Sequence, residues 1–395
     1  MQGLRAAALV VGLLWILMGE PVRAQLTFSE AVARRRPHPE EIELERFLAA
    51  GQRAAAGARG LAAEGPTTSV EAGPRDVPEG RDTDLALGIE LPLLAARSER
   101  QALAEMLPDA AGAMRAAART VADAELAEAF IAAWLAQAIA ELRQQDMAAV
   151  DSWLAAARRR AEAGADPPYE PTLVSGERDR AIVELIEARR EVELTWGGLK
   201  ALSDVPLRPE PLDPAGLPGK ERPEGTPPPA AAADVRAGLE ARRRLSEALA
   251  RAAAASSSSR WALAGTVARE GDERLAHLGV AYRLPLRGER SAIAAEQAAA
   301  EAQGSRDAEL RLTAIEARLA AAEGTLASTG PMLDSADLDR AQAALAVRVE
   351  EGKERPSEVL PLRRQLLEAR VAALRARAAR LAAEAQLHLL GGEGQ

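Results

Sequence analysis

Leu85-Ala86-Leu87-Gly88-Ile89-Glu90-Leu91-Pro92-Leu93 decides the fold, because a run of similar character returns as His277-Leu278-Gly279-Val280-Ala281-Tyr282-Arg283-Leu284-Pro285-Leu286. Each run alternates, imperfectly, with the period of two that marks a strand with one apolar face. Each is followed by a long stretch of helix formers. Gly164 with Pro168 is likewise echoed 188 positions later by Gly352 with Pro356 (352 less 164, 356 less 168). Two echoes in the same order point to an internal duplication. Residues 25–202 form the first repeat, 203–229 a Pro-rich connector, 230–392 the second repeat and 393–395 a tail.

Working outward in the first repeat, Leu26-Thr27-Phe28-Ser29-Glu30 opens a helix, with Thr27 as N-cap and Glu30 completing a capping box. Glu40 to Glu64 supports a second helix. Residues 67–94 read as a hairpin, with turns at Gly73-Pro74 and Pro78-Glu79-Gly80 and the second strand the better supported. Ala95 to Ala163 then carries helix formers over nearly 70 positions, weakened only near Leu107-Pro108-Asp109, enough for about 100 Å of helix. A reversal at 163–170 leads into a helix over Pro171 to Lys200. The second repeat follows suit. It has a helix over Ala230 to Ala255, strands within 260–286, a long helix from Glu289 to Glu351 interrupted at Gly330-Pro331, a turn at 351–358 and a last helix ending near Leu390.

The 395 residues are 48% hydrophobic but only 3% aromatic, so the apolar bulk is Ala and Leu. Ala-rich seams let helix backbones approach closely, and Glu and Arg can cover the remaining faces, which suits long packed rods better than broad cores. In each repeat the two shorter helices sum to roughly the length of the long one, so two short rods can stack end to end beside it. Four short strands cannot close a membrane barrel alone, whereas several copies can contribute to one closed sheet without exposed edges. With no cysteine, thiolate zinc sites, iron–sulfur clusters, disulfides and cysteine nucleophiles are excluded. A net charge of −9 gives no general electrostatic case for nucleic acid.

Residues 1–24 combine Arg5, an apolar run from Ala6 to Met18 and the small-residue end Val22-Arg23-Ala24, the pattern of a cleaved export signal that leaves Gln25 first. About 13 apolar residues are too few to span roughly 30 Å of hydrocarbon. No later run is continuously apolar over a membrane-spanning length, so insertion would have to use strands.

In this order of elements the chain resembles the TolC-like outer-membrane factor (outer membrane efflux protein) family, in particular its compact cation-efflux-like branch. The resemblance rests on the opening Leu26-Thr27-Phe28-Ser29-Glu30-Ala31, the two strand ends before long helices, and the duplicated turns. The family's turn pattern is met by Gly352, Glu358, Val359 and Leu360, with Arg355 in place of its hydroxyl residue, and by Gly164 and Glu170, with Pro167 and Pro171 as departures. The resemblance implies a mainly α fold with a small β portion: long antiparallel helical hairpins forming a periplasmic α-barrel, and four short strands entering a shared, twelve-stranded outer-membrane β-barrel. It further implies a homotrimer that extends into the periplasm, docked through its turns to a periplasmic adaptor protein and an inner-membrane pump, and serving as a passive exit duct for solutes, metal cations among them. A non-conducting periplasmic coiled-coil scaffold, or an adaptor-like structural protein, is the competing reading.

Gly164, Asp166, Glu170, Gly352, Glu354, Arg355 and Glu358 are the candidate tip or entrance residues, read either as a ring toward permeating cations and partners or as solvated turn charges. Pro356 is grouped with Gly164 and Arg355 as an exposed turn position. Trp261 and Tyr282 are candidates for the bilayer interface. His38, His277 and His388 lack metal-ligand spacing, and no nucleophile elbow or phosphate cradle stands out, so no metal, cofactor or enzymatic activity is expected.

Overall fold

The structure, a computed structural model, describes residues 25–56, 67–77, 80–92, 97–218, 231–257, 261–270, 273–282, 287–328, 335–351 and 353–391. In chain order its elements are β1 (Leu26–Thr27), α1 (Phe28–Ala33), α2 (Pro39–Ala56), β2 (Thr67–Val77), β3 (Gly80–Pro92), α3 (Arg97–Glu162) and α4 (Glu170–Leu202). There follow β4 (Leu212–Asp213), α5 (Ala231–Ser257), β5 (Trp261–Glu270), β6 (Glu273–Tyr282), α6 (Arg287–Ser328), α7 (Ser335–Glu350) and α8 (Pro356–Gln386). The fold is mainly α with a minor β component, and both long helical stretches read from the sequence are present. Gly330 and Pro331, the expected interruption, lie outside the described residues, between α6 and α7. Among the described residues no helix is long and apolar enough to cross a membrane.

The described residues fall into two compact units, each drawing on both halves of the sequence. The first takes residues from Met1–Pro37, Ala122–Pro227 and Leu319–Gly391, and the second from His38–Val121 and Pro228–Arg318.

The second unit contains a four-stranded antiparallel sheet in the order β2-β3-β5-β6. Gly73-Pro74, expected as a turn, instead lies inside β2, where Pro74 pairs in register with Thr83 of β3. Among the described residues β2 is an edge strand, the place in a sheet where proline is ordinarily found. β6 ends at Tyr282, with 283–286 outside the described residues. The helical part is built on Leu44 and Leu48 of α2, Leu103, Leu107 and Met114 of α3, and Leu245 and Ala252 of α5. Helix α3 runs through Pro108, the weak point in its sequence. Across the same bundle, Arg115 forms a two-pronged pair with Glu45 at 2.7 and 3.1 Å.

The first unit is centred on the aromatic residues the composition makes scarce. Phe28 meets Phe130 edge to face at 5.8 Å, and Trp134, Trp196, Leu199 and Leu381 share their cluster. The capping box forms as its residues predict, Thr27 Oγ1 accepting from the Glu30 amide and Glu30 Oε2 from the Thr27 amide. β1 pairs in parallel with β4, and Gln137 of α3 holds the join by donating to the Glu210 carbonyl and accepting from the Leu212 amide. Residues 203–218 of the connector are therefore packed chain: Val205, Leu212 and Leu217 are buried in this cluster, and Trp196 donates to the Pro206 carbonyl at 2.9 Å.

Small residues set how closely helices approach in the second unit. A Cβ at Gly238 of α5 would stand 2.4 Å from Ala117 Cβ and 2.7 Å from the Ala113 carbonyl oxygen of α3. The obstruction is backbone and a short side chain, so a methyl can be admitted only by moving one helix. Gly238→Ala should destabilise the protein by about 1–3 kcal/mol, read as a lower thermal midpoint of the helical circular dichroism signal.

Candidate functional site

The sheet carries the first candidate site. Directly opposed residues of an antiparallel pair share a face, so the register rows can be read across four strands. One row is Thr68, Ile89, Gly265 and Leu278; the next is Val70, Leu87, Val267 and Ala276; Leu91, Leu263 and Val280 continue the same face. These rows are apolar, and much of the face lies open: Leu278 is 79% exposed and Val70 67%, with Leu87, Ile89, Val267 and Val280 exposed as well. The opposite face begins with the row Ser69, Gly88, Thr266 and His277, which is small and polar. Trp261 and Tyr282 are direct register partners at one end of the apolar face. The strands are 10 to 13 residues long.

The second candidate site is the pair of helical reversals in the first unit, α3 to α4 and α7 to α8. Gly164 adopts φ +71°, the left-handed conformation that ends a helix with least strain in a residue lacking Cβ. The Ala165 and Asp166 amides then return to the Arg160 carbonyl at 2.8 and 3.2 Å. This turn draws the Asp166 carboxylate inward, where Arg160 Nε lies 2.7 Å from it and Arg355 of the other reversal 3.9 Å. Glu170 is 1% exposed and accepts from both the Ser357 amide and the Ser357 hydroxyl, at 2.7 and 2.8 Å. Ser357 stands in the first turn of α8, where amides lack intrahelical partners, so Glu170 of one helix caps the start of another.

Of the predicted tip residues, Asp166, Glu170 and Arg355 are therefore brought together as a clasp between the two reversals. Glu354 is half-buried and pairs with Arg348. Glu358 is exposed and accepts from the Arg355 amide at 3.4 Å. Gly352 lies outside the described residues. Pro356, read as an exposed turn position, is buried, because the first turn of α8 packs inward with Val359. Gly164, Tyr169, Arg355 and Glu358 keep an outward surface.

A charged seam that the sequence reading passed over lies along the same helices. Arg363 of α8 is only 3% exposed; it pairs with Asp146 of α3 and, at 3.3 Å, with Glu177 of α4, which also meets Arg364. Trp153 lies under the Arg363 guanidinium, 5.8 Å from ring centre to the guanidinium carbon. Burial pushes the Asp146 carboxyl above the usual aspartate range, while Arg363 pulls it the other way. The signal was present in the spacing: Leu142, Asp146, Val150 and Trp153 lie on one stripe of α3, and Val359, Arg363, Leu367 and Val371 on one stripe of α8. A charge recurring at core spacing asks for a partner. Among the described residues no three His, Asp or Glu gather as a metal-binding group.

No protein-family profile matches the chain, and no curated protein sequence does. Solved structures do resemble it. It is similar to the Campylobacter jejuni CmeC outer membrane channel at 14% identity and a TM-score of 0.62, over 92% of this chain and 85% of that one. CusC, whose crystal structures were described for the conformational changes accompanying folding and transmembrane channel formation, matches at 14% identity and a TM-score of 0.58, over 93% and 91% of the two chains. A membrane protein from Pseudomonas aeruginosa matches at 17% identity and a TM-score of 0.57, over 92% and 91%. At such identities the likeness is one of fold, and it extends along nearly the whole chain.

The charged seam yields a test of its own. Arg363→Leu leaves Asp146 and part of Glu177 buried without their cation and should cost about 3–5 kcal/mol, whereas Arg363→Leu combined with Asp146→Leu should recover much of it. Thermal unfolding of the three proteins in detergent checks the order. The raised Asp146 value means that its contribution to stability is full below the unfolded carboxyl value and declines as pH rises through the folded one. Asp146→Asn should flatten that part of the pH profile.

Proposed function

We propose that the chain is the outer-membrane channel component of a tripartite efflux system, a passive duct formed by three copies and reaching into the periplasm. The observation that carries this reading is the sheet, which leaves its β2 and β6 edges unpaired within the described residues and exposes one apolar face. Open edges and a broad apolar face are costly in water. Three copies joined edge to edge close twelve strands into a barrel, which pairs every edge and turns the apolar face to lipid.

The dimensions support this arrangement. Along β5 from the Trp261–Tyr282 pair to Arg269 is eight residues, about 27 Å of strand, or about 20 Å of membrane at the usual barrel tilt. Trp261 and Tyr282 then occupy the inner interface, next to the ends that lead toward the helices. The fold-level likeness to outer-membrane channels points the same way, and residues 1–24 supply the export signal. The sheet favours the duct over a non-conducting scaffold, which has no use for an exposed apolar strand face.

Within this reading the helices form the periplasmic conduit and the two reversals its end, meeting an adaptor and an inner-membrane pump that supplies the energy. Gly164, Tyr169, Arg355 and Glu358 are the docking surface, and Asp166 and Glu170 hold the reversals together beneath it. Metal cations are among the proposed cargo, on the resemblance to the compact cation-efflux-like branch.

Imaging of the purified mature chain in detergent should show trimers with a continuous lumen, and planar bilayers should record discrete conductance steps. A monomer or a solid helical rod would overturn the proposal. Ile89→Arg, in the Gly265 row midway along the apolar face, should cost about 2–4 kcal/mol of insertion and reduce the trimer recovered from membranes. His277→Arg, on the other face, should be tolerated.

A further inference from the structure

With residues 1–24 removed as an export signal, the chain begins Gln25-Leu26-Thr27-Phe28. The fold fixes this end from its second residue. Leu26 is 3% exposed, its amide donates to the Pro211 carbonyl at 2.9 Å, and it pairs in parallel with Leu212. Phe28 and Ala31 follow it into the same cluster. Farther along, the Ser203 hydroxyl donates to the Ala31 carbonyl at 2.7 Å, the Asp204 amide to the Arg34 carbonyl and the Arg36 amide to the Leu202 carbonyl. Residues 26–36 are thus laced to the chain around the start of the connector, and Gln25 stands outside the lacing. It is exposed, and among the described residues no hydrogen bond holds its side chain.

A terminal glutamine placed in this way carries both partners of one reaction. As long as Ala24 precedes it, the Gln25 nitrogen belongs to an amide and is not a nucleophile. Once it is terminal, it is an α-amine that loses its proton near pH ~8, so a fraction is reactive at neutral pH. The carbonyl it can attack is its own side-chain carboxamide, at the distance that closes a five-membered ring. Joining nucleophile and carbonyl in one residue replaces a bimolecular encounter by an intramolecular one. Only an engaged amine or amide would hold the two apart.

We propose that Gln25 is a modification site that closes to a pyroglutamyl lactam once the export signal is removed. The α-nitrogen forms a bond to the side-chain Cδ, the bond from Cδ to Nε2 breaks, and the proton given up by the amine leaves with Nε2 as ammonia. No oxidant or co-reactant is consumed. Neither bond lies in the peptide link to Leu26, so the Pro211 contact and the β1–β4 pairing survive. The lactam removes the terminal positive charge and leaves an aminopeptidase no amine to grip. Burial of Leu26 also withholds the next peptide bond from an enzyme specific for terminal lactams. The chain end is then sealed chemically at residue 25 and sterically at residue 26. The inference rests on the export-signal reading and is independent of the duct reading.

The test uses the full chain, exported with its own leader from a Gram-negative host and purified in detergent. Free amines are methylated on the intact protein before trypsin, so that ring closure during digestion is not counted. Peptide mass spectrometry then reads the first peptide, which ends at Arg34. It should begin at residue 25, carry no methyl groups and be lighter than the unmodified peptide by one ammonia. During incubation at neutral pH any remaining Gln25 amine should disappear at a rate within about twofold of that of a synthetic Gln25–Arg34 peptide, because docking of Leu26 leaves Gln25 free. Closure slowed about tenfold or more in the folded protein would mean that Gln25 is held, and would overturn the site. Pyroglutamyl peptidase should release the lactam from unfolded protein and not from folded protein; equal release from both would overturn the steric seal. Gln25→Ala should present a methylated terminus with an unchanged thermal midpoint. A first peptide that begins at Gln25 and remains fully methylated overturns this inference alone, whereas one that begins at another residue overturns the export-signal reading and the inference with it.

Discussion

The ladder between β3 and β5 is the interaction on which the sheet depends. It runs from Leu85 opposite Arg269 to Pro92 opposite Ala262, and it is where strands from the two halves of the sequence become neighbours in one sheet. Without it there are two separate hairpins, each marginal in water. With it, four strands share one set of faces. A slip of one residue in this ladder would set Val267 on the face of Gly88 and bring Thr266 onto the face of Leu87 and Ile89. The sorting of side chains between lipid and lumen in the proposed barrel is thus fixed by a single backbone register.

The helical part solves a different problem with a different composition. Leu44, Leu48, Leu103 and Leu245 anchor the second unit, and Ala110, Ala111 and Ala252 fill the space between them. Small residues bring backbones close but bury little area each, so other contacts must fix which helix meets which. Paired charges serve that purpose. Arg115 with Glu45 in one unit, and Asp146, Glu177 and Arg363 in the other, are matched across helices distant in sequence. A buried pair adds little net stability over apolar residues, but its loss on misregistration is heavily penalised, which favours one alignment of otherwise similar Ala-rich surfaces. The aromatic residues do the same at another place: Phe28, Phe130, Trp134 and Trp196 are concentrated in one cluster.

Legibility in the sequence followed the range of the interaction responsible. The Thr27–Glu30 capping box and the long helix α3 depend on neighbours three or four residues away, and both were readable in the spacing of residues. β3 was readable because its alternation is its own. β2 was less so: Gly73-Pro74 signals a turn locally, and only pairing with β3 holds it extended. The connector looked uniform because Val205, Leu212 and Leu217 follow no helical or strand period; they are buried one by one against α3 and α4. Asp146 and Arg363 were legible only as charges at apolar spacing. Nothing in either helix alone says that one answers the other.

The turn acids show how position changes the chemistry of a residue type. From spacing, Asp166, Glu170, Glu354 and Glu358 look equivalent, four carboxylates beside two reversals. Gly164 then closes its helix with positive φ and rotates Asp166 toward Arg160, and Ser357 presents its amide and hydroxyl to Glu170. Two of the four carboxylates are spent on holding the reversals against each other, and Glu354 is drawn to Arg348. Of the four, Glu358 alone stays exposed, with one oxygen engaged by the Arg355 amide. A partner approaching these reversals would therefore meet mainly shape and a mixed surface of Tyr169, Arg355 and Glu358. Any change that parts the reversals must first break the Glu170 cap on Ser357 and the longer contact of Asp166 with the exposed Arg355, so these acids contribute to this end of the fold through the resistance they put up, more than through charge presented to solvent.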